Sequence, residues 1–132
     1  KPKSFNLDLT NCPDLFPIIA ALAAFGKKPS KIKGVGRLAT KESNRGIAIV
    51  EEFEKAGVTC TIEGDYLSVN PSKIKPCRIN PRGDHRIAMA AAILGSAGAP
   101  IEIEDAECVA KSYPAFFDEL EAIGGIITSV SD

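Results

Sequence analysis

The chain has no tryptophan, a single histidine and a single methionine, and its aromatic residues are limited to two tyrosines and six phenylalanines. Single-strand nucleic-acid binders interleave aromatic and basic side chains, and no stretch here does so. Cys12, Cys60, Cys77 and Cys108 are scattered, no two of them separated by only two residues, and His85 is the lone imidazole. That spacing argues against a metal centre, and since each Cys lies in or beside an apolar stretch, all four read as small buried hydrophobes in a reducing compartment, with a nucleophilic cysteine as the weaker alternative. Long apolar runs are missing as well. The stretch from Leu15 to Phe25 is interrupted by Pro17 and is too short to span a bilayer, and nothing at Lys1 resembles a signal peptide. These absences predict a cytoplasmic protein with neither a nucleic-acid nor a membrane partner. The chain starts on Lys-Pro-Lys-Ser rather than Met, which suggests a piece of something longer.

What is present is an ordinary globular composition over 132 residues, enough for one domain with a sizeable core. The net charge is −1, but residues 1–45 hold nine Lys or Arg against three acids, and residues 46–132 hold seven against fourteen. A dipolar chain of this kind favours a polyanionic ligand on one side.

Period-two alternation of Phe5, Leu7 and Leu9 predicts a half-buried strand over 4–10, and Pro13-Asp14 then opens an apolar helix to about Phe25, ended by Gly26. A short strand follows over 31–35. Ile47, Val50 and Phe53, with Ile49 beside them, predict an amphipathic surface helix over 41–55, with Glu51, Glu52, Glu54 and Lys55 on its polar side and Gly57 as its stop. The segments 58–62 and 66–69 read as a hairpin around Glu63-Gly64-Asp65. In the second half, Asp84 to Leu94 is an apolar helix ended near Gly95, and 101–103 is a strand. The stretches 114–123 and 126–130 read as an amphipathic helix and a strand. Sliding the chain on itself by seventy residues pairs Asp14 with Asp84 and Lys41 with Lys111, and a shift of 67 then pairs Gly57 with Gly124. A duplicated β-α-β-α-β unit explains this register. It would place the charged groups of both copies on the edge shared by strand C-termini and helix N-termini, where α/β units bind ligands.

Three clusters carry the chemistry. Lys41-Glu42-Ser43-Asn44-Arg45 puts two cations and a carboxylate at a helix start: either a solvated end capped by Ser43, or oxyanion ligands beside a proton carrier. Arg82-Gly83-Asp84-His85-Arg86 precedes the buried helix. Asp84 is a good N-cap, Arg86 can grip a carboxylate or phosphate through two parallel hydrogen bonds, His85 suits a supporting role, and Arg82 could equally be loop surface. Lys111-Ser112-Tyr113-Pro114 holds a lysine beside a helix whose first position suits proline.

Taken in order, these three motifs, the second extended by Ile87-Ala88-Met89-Ala90 and the third joined by Phe116-Phe117, resemble the C-terminal part of the 5-enolpyruvylshikimate-3-phosphate synthase family. Pro13-Asp14 before an Ala-rich helix is a fourth landmark. The family, also called 3-phosphoshikimate 1-carboxyvinyltransferase, has two similar domains of three β-α-β-α-β-β units each, with helices inside and sheets outside. The resemblance therefore implies an α/β (α+β) fold: two tandem repeats of the enolpyruvyl transferase inside-out α/β barrel, one over about 1–70 and one over about 71–132. It also implies transfer of the enolpyruvyl group of phosphoenolpyruvate to the 5-hydroxyl of shikimate-3-phosphate, with release of phosphate, on the way to chorismate and the aromatic amino acids. No metal or organic cofactor takes part.

Carried over residue by residue, the resemblance gives catalytic roles to Asp14, Lys41 and Glu42. Asp14 contacts the shikimate 5-hydroxyl, Lys41 lies between that hydroxyl and the leaving phosphate, and Glu42 protonates the phosphoenolpyruvate methylene. Lys41, Arg45, Arg86 and Lys111 hold phosphoenolpyruvate, and Asp84 and His85 support them. Asn44 stands where the family pattern has Asp, and the segment before Lys41 reads Arg37-Leu38-Ala39-Thr40 where the family often carries an extra basic or Asn residue. The other partner implied is the missing N-terminal lobe of the same enzyme, without which this piece is expected not to turn over. Two other readings share the fold: a non-catalytic anion-binding module, and the sister family acting on UDP-N-acetylglucosamine.

Overall fold

Short strands and alanine-rich helices alternate along the chain in a computed structural model that describes Ser4 and residues 6–39, 44–97, 99–111 and 115–116. Lys41, Glu42, Ser43 and the helix and strand expected over 114–123 and 126–130 lie outside or almost wholly outside those residues. Strand β1 (Asn6–Asp8) runs parallel to β2 (Ser30–Lys33), with Leu7 opposite Ile32. The hairpin of β3 (Thr59–Glu63) and β4 (Tyr66–Asn70) adds antiparallel to β2, giving the order β1-β2-β4-β3. A second pair, β5 (Cys77–Ile79) and β6 (Ile101–Ile103), is parallel. Alternation sets which face is inward: Ser30, Ile32, Leu67 and Val69 are buried while Lys31, Lys33 and Tyr66 are exposed.

Each parallel pair is joined through a helix. α1 (Phe16–Ala23) leads from β1 to β2, and α3 (His85–Ala97) from β5 to β6. Pro13 starts a 3-10 turn, Pro13–Leu15, and Pro17 is at the second position of α1, where the missing N–H has no helical partner to lose. α1 and α3 pack on each other, and Ala20 and Ala21 of the first and Ala90 and Ala91 of the second are all at 0% exposure in the one core, small side chains that let two helices come close. The helices are therefore inside and the sheets outside. The third helix, α2 (Arg45–Lys55), lies against α1, α3 and the hairpin. Among the described residues no helix is long and apolar enough to cross a membrane.

Three expectations change. β1 is only three residues and leaves Leu7 38% exposed, since among the described residues it pairs on one side only. α3 continues through Gly95 to Ala97: the glycine leaves room for Ile101 of β6, which a Cβ would meet at 3.3 Å. Cys12 is exposed, whereas Cys60 and Cys108 are buried. Burial pushes the Cys60 thiol up to about 12, so it stays protonated and inert in the fold. Under native conditions at mildly alkaline pH, a thiol reagent followed by peptide mapping should modify Cys12 first and reach Cys60 only on unfolding. Equal labelling rates at the two would contradict this packing.

Candidate functional site

The site is built at the start of three helices, and α2 shows why. Besides Gly46, its buried residues are Arg45, Ala48, Ile49, Glu52 and Phe53, with Ala56 just beyond, spaced by three and four along one face. Two charged residues thus belong to the inward stripe, and Ile47, expected on it, is 46% exposed. The helix is capped by Asn44, whose Oδ1 accepts the Ile47 N–H at 3.3 Å; Ser43, the cap suggested by the sequence, lies outside the described residues. Asn and Asp cap about equally well, so this position tolerates either residue.

α3 is capped by Asp84, which is 0% exposed. Its Oδ1 accepts the Arg86 N–H at 3.0 Å, and its carbonyl accepts the Ala88 N–H at 3.1 Å. The same carboxylate takes the guanidinium fork of Arg45: Nε donates to Oδ2 at 2.8 Å and Nη2 to Oδ1 at 3.2 Å. Arg45, 1% exposed, also donates from Nη1 to Asp14 Oδ1 at 2.9 Å, and Asp14 stands 56% exposed in the turn leading into α1. Arg45 thereby ties the beginnings of α1, α2 and α3 together, where helix dipoles concentrate positive potential. Upstream, the backbone at Gly34 needs φ +112°, and a Cβ there would lie 2.8 Å from Thr10 N, which keeps the 10–14 segment close to the end of β2.

Arg86 occupies the open side of this cluster, 30% exposed. Its Nη2 is 4.0 Å from Asp14 Oδ2, beyond hydrogen-bond distance. Two buried atoms, Arg86 Nε and His85 Nδ1, have no hydrogen-bond partner among the described residues.

A second polar group lies two turns along α2 from Arg45. The sequence reading puts Glu52 on a polar helix side and leaves Arg82 open between a functional residue and loop surface. Arg82 is an exposed turn residue, but the Glu52 side chain is 3% exposed and accepts from Lys55 Nζ at 2.6 Å, Asn80 N–H at 2.9 Å and Arg82 Nη2 at 2.8 Å. Desolvation pushes this carboxyl upward, but the hydrogen bonds from Lys55, Asn80 and Arg82 together outweigh it and hold the group below the usual carboxylate range. Arg82 reaches Glu51 with the same Nη2 at 2.8 Å, and hydrogen bonds to Glu51 and Glu52 push its guanidinium further up.

Of the residues singled out from the sequence, the fold brings Asp14, Arg45, Asp84, His85 and Arg86 to one end of the helices. Lys41 and Glu42 lie outside the described residues. Lys111 ends a 3-10 turn, Ala106–Lys111, which packs along α3. The sequence reading missed Glu52 and Asn80. One signal was available: Glu52 follows Arg45 by seven residues and so shares its face.

Known proteins resemble the chain along almost its whole length. The family model for EPSP synthase (3-phosphoshikimate 1-carboxyvinyltransferase) matches residues 1–120. The 3-phosphoshikimate 1-carboxyvinyltransferase of Dehalococcoides mccartyi is 43% identical over 129 residues, covering 97% of this chain and 31% of that protein. The enzyme of the same name from Sulfurisphaera tokodaii is 42% identical, covering 96% of this chain and 31% of its own length. The chain thus spans less than a third of these relatives. Among solved structures, EPSP synthase from Acinetobacter baumannii superposes with a TM-score of 0.76 at 29% identity over 89% of this chain and 28% of that one. The enolpyruvyl transferase NikO from Streptomyces tendae, at 17% identity, shares the fold with a TM-score of 0.73 over all of this chain and 31% of its own. The helices-inside architecture and a family match that includes every charged residue of the cluster agree: the chain belongs to the EPSP synthase (3-phosphoshikimate 1-carboxyvinyltransferase) family.

Proposed function

We propose that this chain supplies the phosphoenolpyruvate grip and the proton-transfer groups of an enzyme that moves an enolpyruvyl group onto the 5-hydroxyl of shikimate-3-phosphate and releases phosphate. The observation that carries the reading is Arg86: a partly open guanidinium at the start of α3 whose Nη2 stands 4.0 Å from the exposed Asp14 carboxylate, within ion-pair reach but beyond hydrogen-bond distance. A cation held like this has donors left for an incoming anion.

In this reading Asp14 takes the proton of the 5-hydroxyl as its oxygen adds to C2 of phosphoenolpyruvate, and Glu42 delivers a proton to the methylene, giving a tetrahedral intermediate. Loss of that proton and of phosphate then regenerates the enol ether. Lys41, Arg45, Arg86 and Lys111 hold the carboxylate and phosphate throughout, with Asp84 and His85 supporting them. Arg45 acts from beneath. Buried and bonded to two carboxylates, it would need Asp14 to give way before a substrate carboxylate took its Nη1. The repeated β-α-β order supports a division into repeats of about 1–70 and 71–132. The second lobe of the enzyme lies outside this chain, and its closure completes the site. A cytoplasmic location and independence from cofactors, nucleic acid and membrane belong to the same reading.

The test is phosphate release by the parent protein with both substrates. Release that requires shikimate-3-phosphate and phosphoenolpyruvate together is expected. Phosphoenolpyruvate binding without release would favour an anion-binding module, and release with UDP-N-acetylglucosamine instead would favour the sister family. The 132-residue chain alone should release none. Arg86→Lys in the parent should weaken phosphoenolpyruvate binding by roughly tenfold or more, through loss of a charge-assisted hydrogen bond. Unchanged affinity by calorimetry would remove Arg86 from the ligand set.

A further inference from the structure

We propose that Glu52 is a positioning residue: through Asn80 and Arg82 it sets the backbone of residues 80–84 and so the direction from which Arg86 meets the anion. The proposal rests on the function given above.

The loop between β5 and α3 has an unusual backbone. Arg82 has φ +59° and Gly83 φ +72°, and a side-chain-bearing residue rarely adopts the first without being held there. Two bonds within the loop favour it: Asn80 Oδ1 accepts the Arg82 N–H at 2.8 Å, and the Pro81 carbonyl accepts the Asp84 N–H at 3.0 Å. These bonds define a turn but not where the turn points. Its orientation comes from α2. Arg45 grips Asp84 at the end of the loop, and Glu52, seven residues further along the same helix face, grips the Asn80 N–H and the Arg82 side chain near its beginning. At 1.5 Å per residue the two anchors are about 10 Å apart, so the loop is held at both ends against one rigid rod. Rotation of the loop would carry the first turn of α3 with it, and Arg86 stands two residues past Asp84.

Glu52 is suited to this work by its burial. A carboxylate at 3% exposure keeps its charge only while its partners stay in place, so the α2–loop contact is all or nothing. Lys55 and Arg82, on the solvent side, neutralise it without occupying the anion site.

The experiment compares the full-length parent enzyme with its Glu52→Gln and Arg82→Ala variants. Glu52→Gln keeps an acceptor for Asn80 but loses the charge that holds Arg82. Arg82→Ala removes a partly exposed side chain and should fold normally. Two readouts are needed. Amide hydrogen exchange over 80–86 should accelerate in both variants while the β3–β4 hairpin is unchanged. The KM for phosphoenolpyruvate should rise by about tenfold while that for shikimate-3-phosphate stays within about twofold, as expected when one binding group is misplaced. The double variant should be no worse than the poorer single one, because both break a single contact. Unchanged exchange over 80–86 would overturn the proposal. So would loss of kcat and of both affinities in step with a lowered Tm, which would mark Glu52 as structural only. If the wild-type parent releases no phosphate, the functional reading fails instead, and exchange over 80–86 with calorimetric phosphoenolpyruvate affinity still decides the role of Glu52.

Discussion

Replacing Arg45 with methionine is expected to cost about 3–5 kcal/mol of folding stability, a large part of the roughly 5–15 kcal/mol that holds a typical domain together. The cost comes from what is left behind. Asp84 is 0% exposed and accepts two hydrogen bonds from Arg45; without them, a buried carboxylate must keep its charge with those two charge-assisted bonds lost or take up a proton. Methionine fills much of the volume, so cavity formation is a minor part of the loss. The prediction therefore has a second arm: Arg45→Met combined with Asp84→Asn should be more stable than Arg45→Met alone, because the uncompensated charge is gone. Urea midpoints of the full-length protein check both arms. A loss under about 1 kcal/mol for Arg45→Met is what an exposed ion pair gives, and it would show that the pair is not buried.

The second large effect concerns Glu42. Glu42→Gln in the parent enzyme should lower kcat by about a hundredfold to ten-thousandfold, the range in which a positioned proton carrier contributes. Both KM values should stay within a few fold, since the amide keeps the shape and hydrogen-bonding reach of the carboxyl but cannot hand over a proton. Steady-state kinetics with each substrate varied in turn would show this split. A fall in kcat of less than tenfold, or an equal loss in phosphoenolpyruvate affinity, would take the proton-carrier role away from Glu42. Glu42 stands two residues before the Asn44 cap and three before Arg45, and it is the position of Arg45 that the buried pair with Asp84 secures.

The two charged anchors of α2 differ in how readable they were. Arg45 stood out because cations at a helix start go against the dipole, which favours acids there. Glu52 did not, since a glutamate in a Glu51-Glu52-Phe53-Glu54 run looks like any solvated helix face. The apolar residues at 47, 50 and 53 suggested a stripe slightly rotated from the real one, and Ile47 ended up outside. Hydrophobic periodicity places a helix's inner face only when that face is apolar. Here two of its positions carry charge, and what makes burying them tolerable is a set of partners thirty or more residues away in most cases, on other elements.

β5 was similarly hidden. Three residues, Cys77-Arg78-Ile79, carry no alternation worth the name, and the strand exists because β6 pairs with it in parallel. The hairpin, by contrast, was visible to within a residue at each end, since its turn is set by neighbours in the chain: Glu63, read as part of the turn, pairs with Tyr66 around Gly64 at φ +59°, and Ile62 ends up exposed.

By itself, then, the sequence determined the existence and order of the three helices, the hairpin and the strands β1, β2 and β6, the seventy-residue offset between Asp14 and Asp84, and the cations and carboxylates that the family resemblance draws on, because these depend on local spacing and residue type. Only the tertiary structure decided that Arg45 and Glu52 face inward, that Asp84 caps α3 while closing a fork with Arg45, and that the loop bearing Arg86 is held from α2. The physical reason is that a buried charge is stable only beside its partner, and these partners meet only when the helices pack.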